Sequence, residues 1–254
     1  MRWDPEQYVR FADERNRAYF DLTARIEAAA PRHVVDLGCG PGTLTGTLAA
    51  RWPQAFIEGI DSSPEMIAAA QHVGGVAFSV GDIAQWQPAD DVDVIVSNAA
   101  LQWVPEHPQA LARWSAALPS GGWLAVQVPG NFDSPSHASM HELVESPRWA
   151  PQLREVMRLG DFVGPPESYA AVLLEAGLRA DVWETTYLHV LQGQDPVLEW
   201  LRGTGLRPLL AELSPADAEE FSAELSEVLR RAYPRGPHGT VFPFRRIFAV
   251  GHKA

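Results

Sequence analysis

Five short apolar runs punctuate the first half of the chain, at residues 33–37, 56–60, 76–80, 92–97 and 122–128. Each is rich in Val, Ile, Leu, Phe or Ala and too short for a stable helix, so each predicts a strand. Between them lie stretches of helical character. Residues 43–50 follow the first run, Ser62-Ser63-Pro64-Glu65 supplies a serine cap with an early proline, and residues 107–118 are amphipathic. Strands alternating with helices at this rhythm predict parallel crossover units, hence an α/β fold with a doubly wound, mostly parallel, Rossmann-like sheet.

Upstream, Tyr8, Phe11, Tyr19, Leu22 and Ile26 recur at broadly helical spacing until Pro31 ends the pattern, which predicts one or two helices within residues 4–30. After Pro129 the rhythm changes. Residues 134–159 read as helix and loop, and residues 169–176 as a helix ended by Gly177. Strands follow at 180–191 and 242–252, with helices at 196–201 and 215–233 between them. The expectation is a single domain over residues 1–254: N-terminal helices 4–30, a ligand-binding core 32–129, and a helical cap with the last strands at 130–254.

A length of 254 residues with 46% hydrophobic and 20% charged positions suits one packed α/β domain with embellishments. The formal net charge of -12 argues against a nucleic-acid surface, which needs a dense basic face. Lys253 is the only lysine, which removes Schiff-base chemistry and a P-loop lysine from consideration. Cys39 is the only cysteine, so no internal disulfide forms, and the N-terminus lacks the pattern of a signal peptide. With no apolar run near the ~20 residues that span a bilayer, the expectation is a soluble cytoplasmic protein with no membrane partner. The sequence leaves the oligomeric state open.

The segment Asp36-Leu37-Gly38-Cys39-Gly40-Pro41-Gly42 carries an apolar strand into closely spaced glycines ahead of a helix. Such a loop lets a ligand approach the backbone. The dinucleotide fingerprint G-x-G-x-x-G fails, because counting from Gly38 and Gly40 its third glycine would fall at Thr43. Asp61 closes the second strand, where a carboxylate can accept from both hydroxyls of a ribose; a helix cap for the residues from Ser62 onward is the competing role. Gly81-Asp82-Ile83 follows the third strand, with a plain turn as the alternative for Asp82. Ser97-Asn98-Ala99-Ala100-Leu101-Gln102-Trp103 follows the fourth, and ligands collect at the carboxyl ends of such strands. Cys39 reads as a small residue that fits the loop, since a catalytic thiol needs an adjacent base.

The pattern Asp-x-Gly-x-Gly-x-Gly resembles the first motif of the class I S-adenosylmethionine-dependent methyltransferases, and the likeness extends from His33 to about Gln127. The resemblance implies S-adenosylmethionine as cofactor. Asp36, Gly38, Gly40 and Gly42 would surround its methionine part, Asp61 with Ser62 its ribose, and Asp82 with Ile83 its adenine. Asn98 would lie near the reacting centre. Trp3-Asp4-Pro5 with Tyr8, Phe11, Arg15 and Arg17, then Gly59 to Pro64, Leu101-Gln102-Trp103 and Thr204-Gly205-Leu206-Arg207-Pro208, resemble the trans-aconitate methyltransferase branch of that family over nearly the whole chain.

That resemblance implies transfer of the methyl group to one carboxylate of trans-aconitate, giving a monomethyl ester and S-adenosylhomocysteine. A carboxylate with an ordinary pKa near ~4 is already ionised at neutral pH, so no catalytic residue is expected beyond positioning. A tricarboxylate on so acidic a chain needs local cations, and the forked guanidinium suits carboxylates. Arg15, Arg17, Arg207 and Arg246 are the candidates; strand alternation sends Arg245 and Arg246 to opposite faces, and Arg246 is favoured. Trp103, Gln127 and His189 are candidates for a wall or hydrogen bonds. Two other functions stay open: methyl esterification of another small or carrier-linked acid, and a non-catalytic module that binds S-adenosylmethionine. His137 and His141 share a metal-like spacing extended by Glu145, but no further ligand can be named, and no metal is expected.

Overall fold

The structure, a computed structural model, describes residues 12–157 and 163–254, with side chains from Asn16 onward. Contact clustering divides the chain into two compact units. One takes in the described residues of 1–129 and 162–185 together with 246–254; the other takes those of 130–161 and 186–245.

The first unit opens with α1 (Ala12–Thr23) and continues β1 (His33–Leu37), α2 (Thr45–Arg51), β2 (Phe56–Asp61), α3 (Pro64–Ala70), β3 (Ala77–Val80), β4 (Val92–Asn98), α4 (His107–Ala117) and β5 (Trp123–Pro129). It also contains α7 (Pro166–Glu175). Two long strands, β6 (Arg179–Leu191) and β8 (Gly239–His252), contribute to both units. The sheet order is β3-β2-β1-β4-β5-β8-β6, with β1 to β5 parallel and β8 antiparallel to β5. This is the expected mostly parallel α/β architecture.

Central strands covered on both faces carry continuous apolar runs, which is why β1 and β4 read so clearly from sequence. Val35, Leu37, Ile95, Leu124 and Val126 meet Leu111 and Trp114 of α4 and Tyr169 and Leu173 of α7 in one core. The fully buried Trp114 keeps its indole N–H satisfied on the Trp86 carbonyl at 3.2 Å. At the start of α3 the Ser63 hydroxyl accepts from Met66 N, the cap expected from Ser-Ser-Pro-Glu.

The second unit contains α5 (Pro135–Val144), α6 (Ala150–Met157), α8 (Pro196–Arg202), α9 (Arg207–Glu212), α10 (Pro215–Ala232) and β7 (Arg235–Gly236), beside its parts of β6 and β8. Its core is aromatic: Trp149 meets Phe221 edge-on at 5.3 Å, and Trp200 lies 5.1 Å from Phe244. The six residues of α9 are too few to show a helical period in the sequence, and Arg207 and Pro208 form its first turn. Likewise β7 is only two residues between prolines, which pair with the start of β8. Glycine at 239, with φ +125, lets β8 begin three residues earlier than the apolar run predicts. Among the described residues no helix is long and apolar enough to cross a membrane.

Candidate active site

The loop after β1 is tied to the end of β2 by Gly38 N and Cys39 N, which both donate to the Ile60 carbonyl at 2.7 and 3.1 Å. Gly38 has φ +80, and a Cβ there would come within 2.2 Å of Ala100 Cβ. The loop and the turn after β4 therefore touch through a residue that must be glycine. Gly40, with φ +56, differs: beyond its chain neighbours no described atom lies within 4 Å of where a Cβ would stand, so its backbone faces open space. Gly42 packs against the Phe78 ring.

Asp36 is turned behind the loop. It is 2% exposed and accepts from the Thr45 hydroxyl at 2.7 Å and the Tyr19 hydroxyl at 3.5 Å. Burial pushes its carboxyl up to about 7, against the lowering effect of the Thr45 bond, and the negative Asp61 adds to the rise. Cys39 is held far above the ordinary thiol range by burial and then by the Asp36 and Asp61 charges, so it is no thiolate at neutral pH.

Both oxygens of Asp61 are engaged by backbone: Oδ2 accepts from Gly40 N and Oδ1 from Ser63 N, each at 2.9 Å. The carboxylate thus clamps loop to helix, and each oxygen keeps a further lone pair for a ligand hydroxyl. Ser62 beside it is exposed. Asp82 is exposed and closes a turn by accepting from Ala84 N at 2.9 Å, while Ile83 is buried in the core.

At the carboxyl ends of β4 and β5 the register sets Asn98 opposite Gln127, and Arg246 of β8 opposite Pro129. Period-two alternation then puts Gln127 and Arg246 on one face. Arg246 is 3% exposed and donates from Nη1 to Gln127 Oε1 at 3.1 Å, and Gln127 Nε2 is buried with no partner among the described residues. Ala99 has φ +53, the one non-glycine residue with a positive φ among those described. Such a conformation is costly for alanine and persists where the surroundings fix it. Here Ala99 N donates to the Gln127 carbonyl at 2.9 Å, and the Gln102 amide donates to the Ala99 carbonyl at 2.7 Å. Asn98 Oδ1 and Gln102 Oε1 are buried and accept no hydrogen bond from the described residues.

Asn98, Gln127 and Arg246 are therefore brought together. Trp103 is half-buried in a short turn of 3-10 helix, Leu101–Trp103, of the same unit, and Arg17 is exposed on α1. The Arg15 side chain lies outside the described residues. In the second unit His189 is buried and stacks on Trp200 with centroids 5.0 Å apart, and Arg207 opens α9 half-buried. Among the described residues no group of three or more His, Cys, Asp or Glu could hold a metal. The sequence gives no sign of the Gln102–Ala99 hydrogen bond, which depends on a backbone turn that no side-chain spacing reveals. Nor does it show that Tyr19 and Thr45 reach Asp36, from elements far apart or out of phase.

The site fits a cationic, ribose-bearing cofactor. It offers unpartnered buried acceptors at Asn98 and Gln102, a carboxylate with spare lone pairs at Asp61, and open space above Gly40 that a Cβ would fill. The mixed sheet, with β8 antiparallel beside β5 and a glycine loop after β1, is that of the class I methyltransferase fold, and a profile described as a methyltransferase domain matches residues 11–182. Solved structures share the fold. The YcgJ protein of Bacillus subtilis aligns at TM-score 0.57 with 16% identity, covering 94% of this chain and 98% of that one. Phosphoethanolamine N-methyltransferase 2 of Haemonchus contortus, in complex with S-adenosyl-L-methionine, aligns at TM-score 0.55 with 15% identity, covering 94% of this chain and 53% of that one.

Whole-chain relatives narrow the class. The chain is 55% identical over 260 residues to trans-aconitate 2-methyltransferase of Streptomyces avermitilis, covering 99% of this chain and 97% of that one. It is 53% identical over 250 residues to the protein of the same name from Mycobacterium sp. strain KMS, covering 98% of each. The chain belongs to the trans-aconitate 2-methyltransferase family.

Proposed function

We propose that this chain transfers the methyl group of S-adenosylmethionine to one carboxylate of trans-aconitate, giving a monomethyl ester and S-adenosylhomocysteine, with both units acting as one methyltransferase domain. High identity along the whole chain to relatives of that name supports the reaction. The observation that carries it in the structure is the buried Arg246–Gln127 pair at the carboxyl end of β5, a guanidinium beside an amide NH2 that meets no acceptor among the described residues.

S-adenosylmethionine supplies an electrophilic methyl carbon on a sulfonium sulfur. An oxygen of the substrate carboxylate forms the new C–O bond as the C–S bond breaks, the electron pair stays on sulfur, and no proton moves. The chain's task is positioning, which in favourable systems lowers a barrier by roughly 7 to 11 kcal/mol. In this reading Asp61 holds the ribose, Asp82 the adenine amine, and the backbone at Gly40 the methionine part. Arg246 and Gln127 Nε2 donate to the carboxylate. Ser62, Asn98, Arg17, Trp103, His189 and Arg207 stand as proposed further contacts, and Asp36 acts by shaping the loop. The enzyme works in the cytoplasm on a free small molecule, with no nucleic acid as partner.

The test is a base-labile ester formed on trans-aconitate from methyl-labelled S-adenosylmethionine, with Arg246→Met compared to the wild type. Losing a charge-assisted hydrogen bond should raise KM for the acid by about tenfold or more while cofactor affinity holds. Cofactor binding without an ester on any acid would overturn the reaction. Equal loss of cofactor and acid binding in the variant would overturn the division of roles.

A further inference from the structure

Within the second unit, the start of α8, the end of α10 and the pairing of β7 with β8 line a cavity of about 190 Å³. Ser226, Leu229, Arg230 and Tyr233 face it at the spacing of one helical side, so α10 gives it a continuous wall. The volume is that of about six waters and lies below the roughly 300–1,000 Å³ of sites for drug-sized molecules, so a fitting occupant is small. None of its residues is among those assigned to the reaction above.

The lining is apolar in one part and cationic in another. Val197, Leu229 and Tyr233 are buried, and the Tyr233 ring is fixed edge-on to Phe242 with centroids 5.3 Å apart. The Asp195 carboxylate accepts from Arg230 Nε at 2.6 Å and Nη2 at 2.8 Å, and this bond with the arginine holds its pKa below the ordinary carboxylate value. Arg235 is exposed on β7 with no acidic partner among the described residues. Two arginines against one aspartate leave the lining with a net positive charge, on a chain of net charge -12. Ser226 is 4% exposed; its hydroxyl lies near enough to Asp195 to favour the charged carboxylate but makes no hydrogen bond of ordinary geometry with a described residue. A buried hydroxyl left in that state is one a ligand oxygen can satisfy.

We infer that this cavity is a second binding site, for a small organic anion: a monocarboxylate with a short hydrocarbon chain. Arg235, with no acid of its own, supplies the cation, and a guanidinium fork matches the two oxygens of a carboxylate. Val197, Leu229 and the Tyr233 ring cover the chain, which gains by leaving water. Inorganic phosphate carries four oxygens and no chain, so part of its surface would face apolar side chains without a hydrogen bond. An ammonium ligand would meet a surplus of positive charge.

Calorimetry and thermal unfolding of the whole chain with hexanoate, and separately with inorganic phosphate, test the site. Hexanoate should bind with a Kd below about 1 mM and raise Tm, because a ligand that binds only the folded chain stabilises it. Arg235→Gln should weaken hexanoate by about tenfold and Arg235→Glu by more, since the first removes a charge-assisted bond and the second adds repulsion. The Tm of each variant without ligand checks the fold. Arg246→Met, in the first unit, should bind hexanoate within about twofold of the wild type, and phosphate should bind the wild type at least about tenfold more weakly than hexanoate. No binding of hexanoate at about 10 mM, wild-type affinity in both Arg235 variants, loss of binding in Arg246→Met, or phosphate bound as tightly as hexanoate would each overturn the inference.

Discussion

Gly40 and Asp36 show how single positions in one loop carry different burdens. Gly40 stands in the left-handed region with open space where a Cβ would be. Gly40→Ala should fold, at a cost of roughly 1–2 kcal/mol for the left-handed alanine, and should lose most S-adenosylmethionine affinity because the methyl group occupies the ligand's approach. Denaturant unfolding and calorimetry on the same preparation check both parts; wild-type affinity would show that the ligand does not approach there. Asp36 lies behind the loop, with its carboxyl raised by burial from the ordinary 3.8 to about 7. The folded protein keeps that proton between about pH 4 and 7 while the unfolded chain has released it. This group therefore makes stability fall as pH rises through that window, by up to roughly 4 kcal/mol, and contributes no further slope above it. Asp36→Asn should remove that part of the slope, read as the difference between the two stability curves against pH. Neither burden shows in the letters of the loop, because spacing alone does not say which glycine meets a neighbour and which faces space.

Elements were far more legible than their contacts. Strands β1, β4 and β5 and helix α4 announce themselves because strands buried on both faces must be apolar nearly throughout, and a helix on a sheet must carry one apolar face. Residues such as Val34, Val35, Ile95 and Val96 leave few alternatives. The partnership of Asn98, Gln127 and Arg246 was not legible, since it depends on β8 entering antiparallel beside β5, a choice written in no local pattern. The two residues of β7 and the helix beginning at Arg207 were too short, or too proline-flanked, to show periodicity. The chain's only lysine has an element-level role as well. Lys253 Nζ donates to the Ala116 carbonyl at 2.7 Å and reaches that of Ser115 at 3.4 Å, in the last turn of α4. A cation there meets orphan carbonyls and the negative end of the helix dipole. Lys253→Met should cost about 0.5–1 kcal/mol in denaturant unfolding with kcat and KM unchanged; no loss of stability would mean the contact is spent on ordering the side chain.

At the scale of the whole molecule, a chain of net charge -12 acting on a tricarboxylate needs its few relevant cations placed where the substrate binds. Surface charge of that sign repels polyanions at long range and is screened beyond about 8–10 Å at physiological salt, so a buried arginine governs contact binding. The bond from Arg246 to Gln127 is such a placement. Sites built to hydrogen-bond specific polar groups reject molecules that lack them or present them in another geometry, because the site's own buried groups are then left unmet. The most direct measurement of the central claim is kcat/KM of the purified protein with methyl-labelled S-adenosylmethionine for trans-aconitate, cis-aconitate, citrate and a long-chain carrier-linked acid. Trans-aconitate should exceed each of the others by at least about tenfold if the reaction is the one proposed. An equal or higher value for the carrier-linked acid would contradict it.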